Sequence, residues 1–312
     1  MTSAGTVALT GATGFIGSVL ARTLTRNNWQ VRALVRPQSL GTALPGGVSP
    51  ISGSLEDPAS LGELISGADV IIHCAGVVRG ATTNYFDRTN VDGVKRLAEL
   101  AAQLSPPPRF LLMSSLAASL PEISAYAASK NAGERALAAS AGTMHWTAFR
   151  PCAVYGPGDR EMLPLFRVME KGFAPVWSDD STRFSLLYVQ DLAAAVMSWL
   201  SANTPNNSIF ELHDGRPDGY SIAEVIATAE VALGRRIRRL PVPRSGLSTI
   251  ANINIRLAKI LGYAPMLTPW KVRELRHPRW VCDNADLSAA TGWHPQVVLK
   301  DALLPTLRGE SI

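Results

Sequence analysis

Residues 10–17 read Thr10-Gly11-Ala12-Thr13-Gly14-Phe15-Ile16-Gly17 and follow directly on an aliphatic, β-branched run at residues 6–10. A chain here must turn sharply, bring its backbone against a bound group and seat a new helix close to a sheet. Glycine at Gly11, Gly14 and Gly17 removes the side chain that would obstruct each step. The helix opening at Phe15 offers free N–H groups and a partial positive charge to an anion. Three glycines in seven residues also fit a tight turn of purely structural role. Their place between the first strand and the first helix of an alternating pattern favours a pyrophosphate.

Outward from that turn the alternation continues. Short apolar runs at residues 30–35, 48–52, 69–74, 109–114 and 144–150 are bounded by turn residues, with helical patterns between them at 15–26 and 91–104. Pro106-Pro107-Pro108 stops the second helix. Strands alternating with helices predict right-handed crossovers and a doubly wound parallel sheet of the α/β class. Strands at 184–189 and 209–212, around a helix over 191–200, are expected to close that pattern. From about residue 214 the rhythm changes to amphipathic helices at 220–233 and 248–261, around a basic, strand-like segment at 235–243. The expected organisation is a dinucleotide-binding Rossmann domain over 1–155, to which 184–213 returns. A smaller, mainly helical substrate lobe is expected from 156–183 and 214–312.

Composition narrows the function classes. A chain of 312 residues with 46% hydrophobic and 18% charged positions buries a large core, which excludes global disorder. Thirty Lys and Arg against 25 Asp and Glu leave a surplus of +5, which suits an anionic ligand better than nucleic acid. The run Arg235-Arg236-Ile237-Arg238-Arg239 reads as a solvated edge strand rather than a nucleic-acid patch. Three dispersed cysteines, Cys74, Cys152 and Cys282, form neither a disulfide framework nor a metal spacing, so a reducing compartment and no metal are expected. No basic leader opens the chain and no apolar run is long enough to cross a bilayer, so the expectation is a cytoplasmic protein without a membrane partner.

Three further positions carry chemistry. Just past the second strand stands Val35-Arg36-Pro37, where an acid would hydrogen bond a free ribose 2′-hydroxyl. A guanidinium there pairs with a 2′-phosphate and favours NADP; with Arg36 merely solvated, NAD is used as well. Tyr126 and Lys130, four apart in Ala-Tyr-Ala-Ala-Ser-Lys, stack on one helical face. An ammonium beside a phenol is expected to favour the phenolate and, together with an oxidised nicotinamide, to lower its pKa, although such a pair also occurs on plain surfaces. Ser114 and Ser115 end the fifth strand, where the carboxyl edge of a parallel sheet lines the ligand crevice; turn formation is their alternative role.

Taken together, the glycine turn, the paired serines and Tyr-x-x-x-Lys resemble the extended short-chain dehydrogenase/reductase family, which includes nucleotide-sugar epimerases and dehydratases and dihydroflavonol-reductase-like carbonyl reductases. The likeness extends over nearly the whole chain: Ile-Ile-His-Cys-Ala-Gly at 71–76, Asn90-Val91-Asp92-Gly93, Arg-Pro-Cys-Ala-Val-Tyr-Gly-Pro-Gly-Asp at 150–159, and the segments 188–196 and 283–295. The resemblance implies that Tyr126 is the general acid/base, that Lys130 holds the nicotinamide ribose, and that Ser115, rather than Ser114, hydrogen bonds the reacting oxygen. It assigns dinucleotide contacts to Gly11, Thr13, Gly14, Phe15, Ile16, Gly17, Arg36, Leu55, Ala75, Gly76, Val77, Pro151 and Val154. Two positions depart from the family pattern. Ser54 replaces the usual acid after the third strand, and Leu116-Ala117-Ala118-Ser119-Leu120 lacks the Val-Tyr-Gly of sugar-nucleotide members.

The function implied is hydride transfer between a nicotinamide and a ketone or secondary alcohol of a small organic substrate. The alternatives are epimerisation or dehydration of a nucleotide sugar by transient oxidation, and dinucleotide sensing without turnover. A homodimer is compatible with the family. His73 and Cys152 are expected to pack near the cofactor without catalytic roles, and Trp146, Trp199 and Trp293 to fill the core. Trp177 and Arg183 should border the substrate cleft, Arg183 meeting either a substrate anion or a surface acid.

Overall fold

β1 (Gly5–Thr10) leads through the glycine turn into α1 (Phe15–Arg26), and the strand–helix alternation continues from there. The computed structural model describes residues 3–39, 41, 44–177, 179–261 and 263–310. Next come β2 (Trp29–Val35), β3 (Val48–Ser52), α2 (Pro58–Ile65), β4 (Val70–His73), α3 (Thr83–Asp87), α4 (Gly93–Ala102), β5 (Arg109–Met113), α5 (Ala125–Ser140) and β6 (Trp146–Pro151). After β6 run β7 (Ala153–Tyr155), α6 (Leu163–Glu170), β8 (Phe173–Val176), β9 (Arg183–Phe184), β10 (Leu186–Tyr188), α7 (Val189–Ser201) and β11 (Ser208–Leu212). The chain closes with α8 (Ile222–Leu233), β12 (Arg238–Pro241), α9 (Arg244–Leu261), α10 (Pro269–Leu275), β13 (Arg279–Trp280), α11 (Ala285–Thr291) and α12 (Leu299–Arg308).

Seven strands form one parallel sheet in the order β11-β6-β5-β4-β1-β2-β3. Its central strands are continuous apolar runs because helices cover both faces, so alternate residues on either side find a core. Leu9 of β1 packs with Leu20 and Leu24 of α1 on one face, and Ile71 of β4 with Leu61, Leu64 and Leu97 on the other. Each of these leucines is fully buried and contributes about 2 kcal/mol by removal from water. Trp146, Trp199 and Trp293 fill the same cores, as expected. β1 lies between β2 and β4, so winding reverses there and a crevice opens past the carboxyl ends of β1 and β4.

Two expected elements differ. The helix predicted from residue 91 begins earlier as a π-helical turn, Arg88–Asp92, running into α4; the wider turn carries Asn90, which is buried. The strand predicted at 184–189 does not join the main sheet. The edge of β6 is already taken by β11, so β10 pairs with β7 and β9 with β13, apart from the main sheet. The predicted basic edge strand is β12, exposed along its length and paired with β8. Around these pieces a third core gathers Tyr155, Phe166, Leu186, Ile222, Val225 and Leu299. α8 enters it behind a capping box in which Ser221 and Glu224 satisfy each other's backbone N–H groups. No described helix is long and apolar enough to cross a membrane.

Candidate active site

The turn after β1 is built so that no side chain fits. Gly11 sits at φ +76°, and a Cβ there would lie 2.7 Å from the Ala75 nitrogen and the Cys74 carbonyl carbon. A Cβ on Gly17 would lie 2.1 Å from the Gly11 oxygen, so α1 reaches this turn only because both residues are glycine. α1 has no side-chain cap, which leaves its first N–H groups directed at the crevice, and Thr13 and Gly14 are exposed there. Phe15 and Ile16 are half-buried against the core. A cradle closed to side chains and rimmed by uncapped N–H groups fits a dinucleotide pyrophosphate.

Thr10 closes the bottom of this crevice. Its hydroxyl accepts the Ala75 N–H at 3.1 Å and bonds His73 Nδ1 at 3.0 Å. His73 is fully buried, with no partner for Nε2, and burial, aided by Lys130, pushes it down to about 3. It is therefore neutral and structural. Ala75, Gly76 and Val77 continue along the carboxyl edge. The Asn90 carboxamide accepts the Val77 N–H at 2.9 Å and donates to the Val77 carbonyl at 3.0 Å and to the Ser129 hydroxyl at 2.9 Å. A Cβ on Gly133 would lie 2.2 Å from the Asn90 oxygen, so that glycine lets α5 press onto the π-helical turn.

α5 starts at Ser124, whose hydroxyl accepts the Ala127 N–H at 3.0 Å. Tyr126 and Lys130 then fall one turn apart on the face toward the sheet edge. Lys130 Nζ donates to the Met113 carbonyl at 2.8 Å, and a Cβ on Gly76 would lie 3.2 Å from that nitrogen. Burial lowers Lys130 to about 8 against the opposing pull of Cys74 and Glu134. Tyr126 is half-buried and hydrogen bonded to Ser115. The chain's own groups pull the phenol upward. Burial pushes the phenol up to about 12, the Ser115 bond opposes this, and the carboxylates of Glu274 and Glu161 add to the rise.

Ser114 and Ser115 point to different tasks. Ser115 caps the short 3₁₀ turn Leu116–Ser119 and bonds the phenol, whereas the Ser114 hydroxyl donates to Glu134. Glu134, buried in α5, grips Arg150 of β6 through two bonds of 2.9 and 2.6 Å. The sequence reading missed this link, although Glu134 lies four residues after Lys130, on the same helical face. Asn90 stood inside a quoted motif but was given no contact there.

The other expected residues spread along the same edge. Arg36 directly follows β2 and is exposed, its guanidinium without an ion pair among the described residues. Leu55 lies beyond β3 against Gly93, where a Cβ would come within 2.8 Å of its Cδ1. Pro151 ends β6 buried, and Val154 packs half-buried in β7. Cys152 contacts Cys282, and burial raises its thiol well above the ordinary range, so it is inert. No group of three or more potential metal ligands occurs among the described residues.

Beside Tyr126 opens a small cavity lined by Val78, Phe86, Pro265, Met266 and Trp270, with Thr268, Lys271 and Glu274 at its polar side. The Phe86 ring lies 6.2 Å from the Tyr126 ring, tilted by 57°, and Lys271 is held by Glu274 at 2.9 Å. Neither Trp177 nor Arg183 lines it. Arg183 pairs with Glu224, which also takes Arg216, so the surface-acid alternative holds for that residue.

The NAD dependent epimerase/dehydratase family model matches residues 7–212. Ceramide reductase of Caulobacter vibrioides is 36% identical over 286 residues, which cover 91% of this chain and 88% of that protein. The 2-alkyl-3-oxoalkanoate reductase of Stenotrophomonas maltophilia is 25% identical over 324 residues, 95% of this chain and 97% of that one. In shape, a mutant UDP-glucuronic acid 4-epimerase of Bacillus cereus, solved with NAD, superposes with TM-score 0.75 at 17% identity, over 97% of this chain and 98% of its own. That last likeness shows the shared fold.

Proposed function

The chain belongs to the NAD dependent epimerase/dehydratase family and is an oxidoreductase of the extended short-chain dehydrogenase/reductase type, and from that premise we propose that it reduces a ketone on an apolar, lipid-like substrate. The observation that carries the proposal is the Ser115–Tyr126 hydrogen bond beside a small cavity to which Val78, Phe86, Pro265, Met266 and Trp270 bring apolar surface. The ceramide reductase relative supports the substrate class. Among the described residues, the cations on that cavity wall are Arg79 and Lys271, and they are already paired, with Glu161 and Glu274 respectively, which leaves little to hold a sugar-nucleotide diphosphate.

A dinucleotide held in the crevice would supply the hydride for the substrate carbon. Gly11, Thr13, Gly14, Phe15, Ile16 and Gly17 hold its pyrophosphate at the uncapped end of α1. Arg36 takes a 2′-phosphate, which favours NADP, and Leu55 flanks the adenine. Ala75, Gly76, Val77 and Lys130 border the nicotinamide ribose, and Pro151 with Val154 the carboxamide. Ser115 orients the substrate oxygen. Tyr126 gives that oxygen its proton: a phenol pushed up to about 12 is protonated throughout the neutral range, the state a donor needs. In the reverse direction the same residue acts as base, and the Lys130 charge then favours the phenolate.

Turnover tests the proposal. The purified chain, given NADPH and ketones graded from short polar to long-chain amide-bearing, should consume NADPH with the long-chain members. Inactivity toward every ketone, together with interconversion of a UDP-sugar without net cofactor change, would reject it.

A further inference from the structure

α9 carries an apolar face that nothing in the described chain covers. Ile250, Ile253, Leu257, Ile260 and Leu261 are 57%, 53%, 45%, 79% and 69% exposed. At 100° per residue they fall in one arc of about 100°, whereas the buried positions Ala251 and Ala258 lie on a separate side of the helix. Tyr263 and Met266, 40% and 42% exposed, extend the apolar surface past the helix, and Met266 lines the cavity beside Tyr126. Half of the exposed large hydrophobic residues among those described thus fall within residues 250–266.

The charge around this face is lopsided. Residues 234–282 hold eleven Lys and Arg and a single acid, Glu274, while the remainder of the chain holds 19 basic and 24 acidic residues. Arg236, Arg238, Arg256 and Arg273 are exposed and have no side-chain hydrogen bond or ion pair among the described residues. Arg256 flanks the apolar arc directly.

We propose that α9 is an interfacial helix that docks this lobe on an anionic lipid surface, its aliphatic face in the acyl boundary and the surrounding arginines on the headgroups. Charge complementarity selects this occupant. A second copy meeting α9 across a two-fold axis would set the same basic segment against itself. Nucleic acid would leave the aliphatic arc unburied. The expectation of no membrane partner rested on the lack of a spanning segment, and an interfacial helix needs none. Docking brings the mouth near Met266 to the lipid layer. That consequence rests on the lipid-like substrate proposed above, but the docking itself does not.

Vesicle flotation of the full chain tests it without any turnover. Binding to phosphatidylglycerol-containing vesicles should exceed binding to phosphatidylcholine vesicles at least about tenfold, and should fall as salt rises. Ile253→Glu with Ile260→Glu, both at exposed positions, should abolish flotation while leaving the melting temperature in place. Equal binding to both vesicle types, flotation insensitive to salt, or undiminished flotation of the folded double variant would overturn the proposal. A chain that sediments as a dimer only when these two isoleucines are intact, and ignores vesicles, would assign the face to a second copy and overturn it as well.

Discussion

Lys130 and Met113 are joined by a 2.8 Å hydrogen bond from Nζ to the carbonyl oxygen, tying α5 to the last residue of β5. The bond places the ammonium against the sheet edge and one helical turn from Tyr126. Asn90 on Ser129 ties the same helix to the π-helical turn before α4, and Glu134 on Arg150 ties it to β6. Three polar links along one helix thus hold the phenol relative to β5, β6 and that turn, a preorganised setting of the kind an acid/base group requires.

The Glu134–Arg150 pair should be costly to break and cheap to replace. Its carboxylate is 4% and its guanidinium 16% exposed, so Glu134→Gln leaves a largely buried arginine without its charge partner. Urea denaturation should report a loss of about 3–5 kcal/mol for the single variant. Glu134→Leu combined with Arg150→Met should lose less. Equal losses for single and double variants would mean that the pair does not act as a unit.

Arg36 stands just past β2 with its guanidinium unengaged among the described residues. Arg36→Ala should therefore raise the dissociation constant of NADPH by roughly tenfold to hundredfold, the worth of a charge-assisted contact, and leave NADH almost unaffected. Titration of both cofactors by protein fluorescence checks this. Equal effects on the two would remove Arg36 from the phosphate contact.

His73 makes stability pH-dependent. Its folded value lies near 3 against 6.5 when unfolded, because burial disfavours the imidazolium. Between those values the unfolded chain binds the extra proton, so stability is fully present above pH 6.5 and declines as pH falls toward 3, by about 1.4 kcal/mol per unit at most. His73→Gln should flatten that part of the curve in chemical denaturation measured at stepped pH. A variant with the unaltered slope would place the effect elsewhere.

The alternation of apolar runs made the sheet legible, because strands covered on both faces are continuous in Val, Ile and Leu and the glycine turn marks where winding starts. That Tyr126 and Lys130 share one helical face was legible from their four-residue spacing, and the roles proposed for them came from the family resemblance. The fate of residues 184–189 was not. A short apolar run carries no sign of which strand it pairs with, and only the presence of β11 on the edge of β6 decides it. The chain's own pull on the phenol was not legible for a related reason. Spacing puts Lys130 one turn from Tyr126, but the burial that raises the phenol and the added push of the Glu274 and Glu161 charges come only with the fold. Likewise the exposed arc on α9 reads in sequence as an ordinary amphipathic helix, and only the folded chain leaves that face bare.

The central claim is that Tyr126 delivers the proton while the glycine turn and Lys130 hold the cofactor. Tyr126→Phe removes one oxygen from a half-buried ring and tests it most directly. With a reducible ketone, kcat should fall about 10²–10⁴-fold, and the dissociation constant of NADPH, measured on the same preparation, should stay unchanged. A variant that keeps most of its turnover would contradict the account.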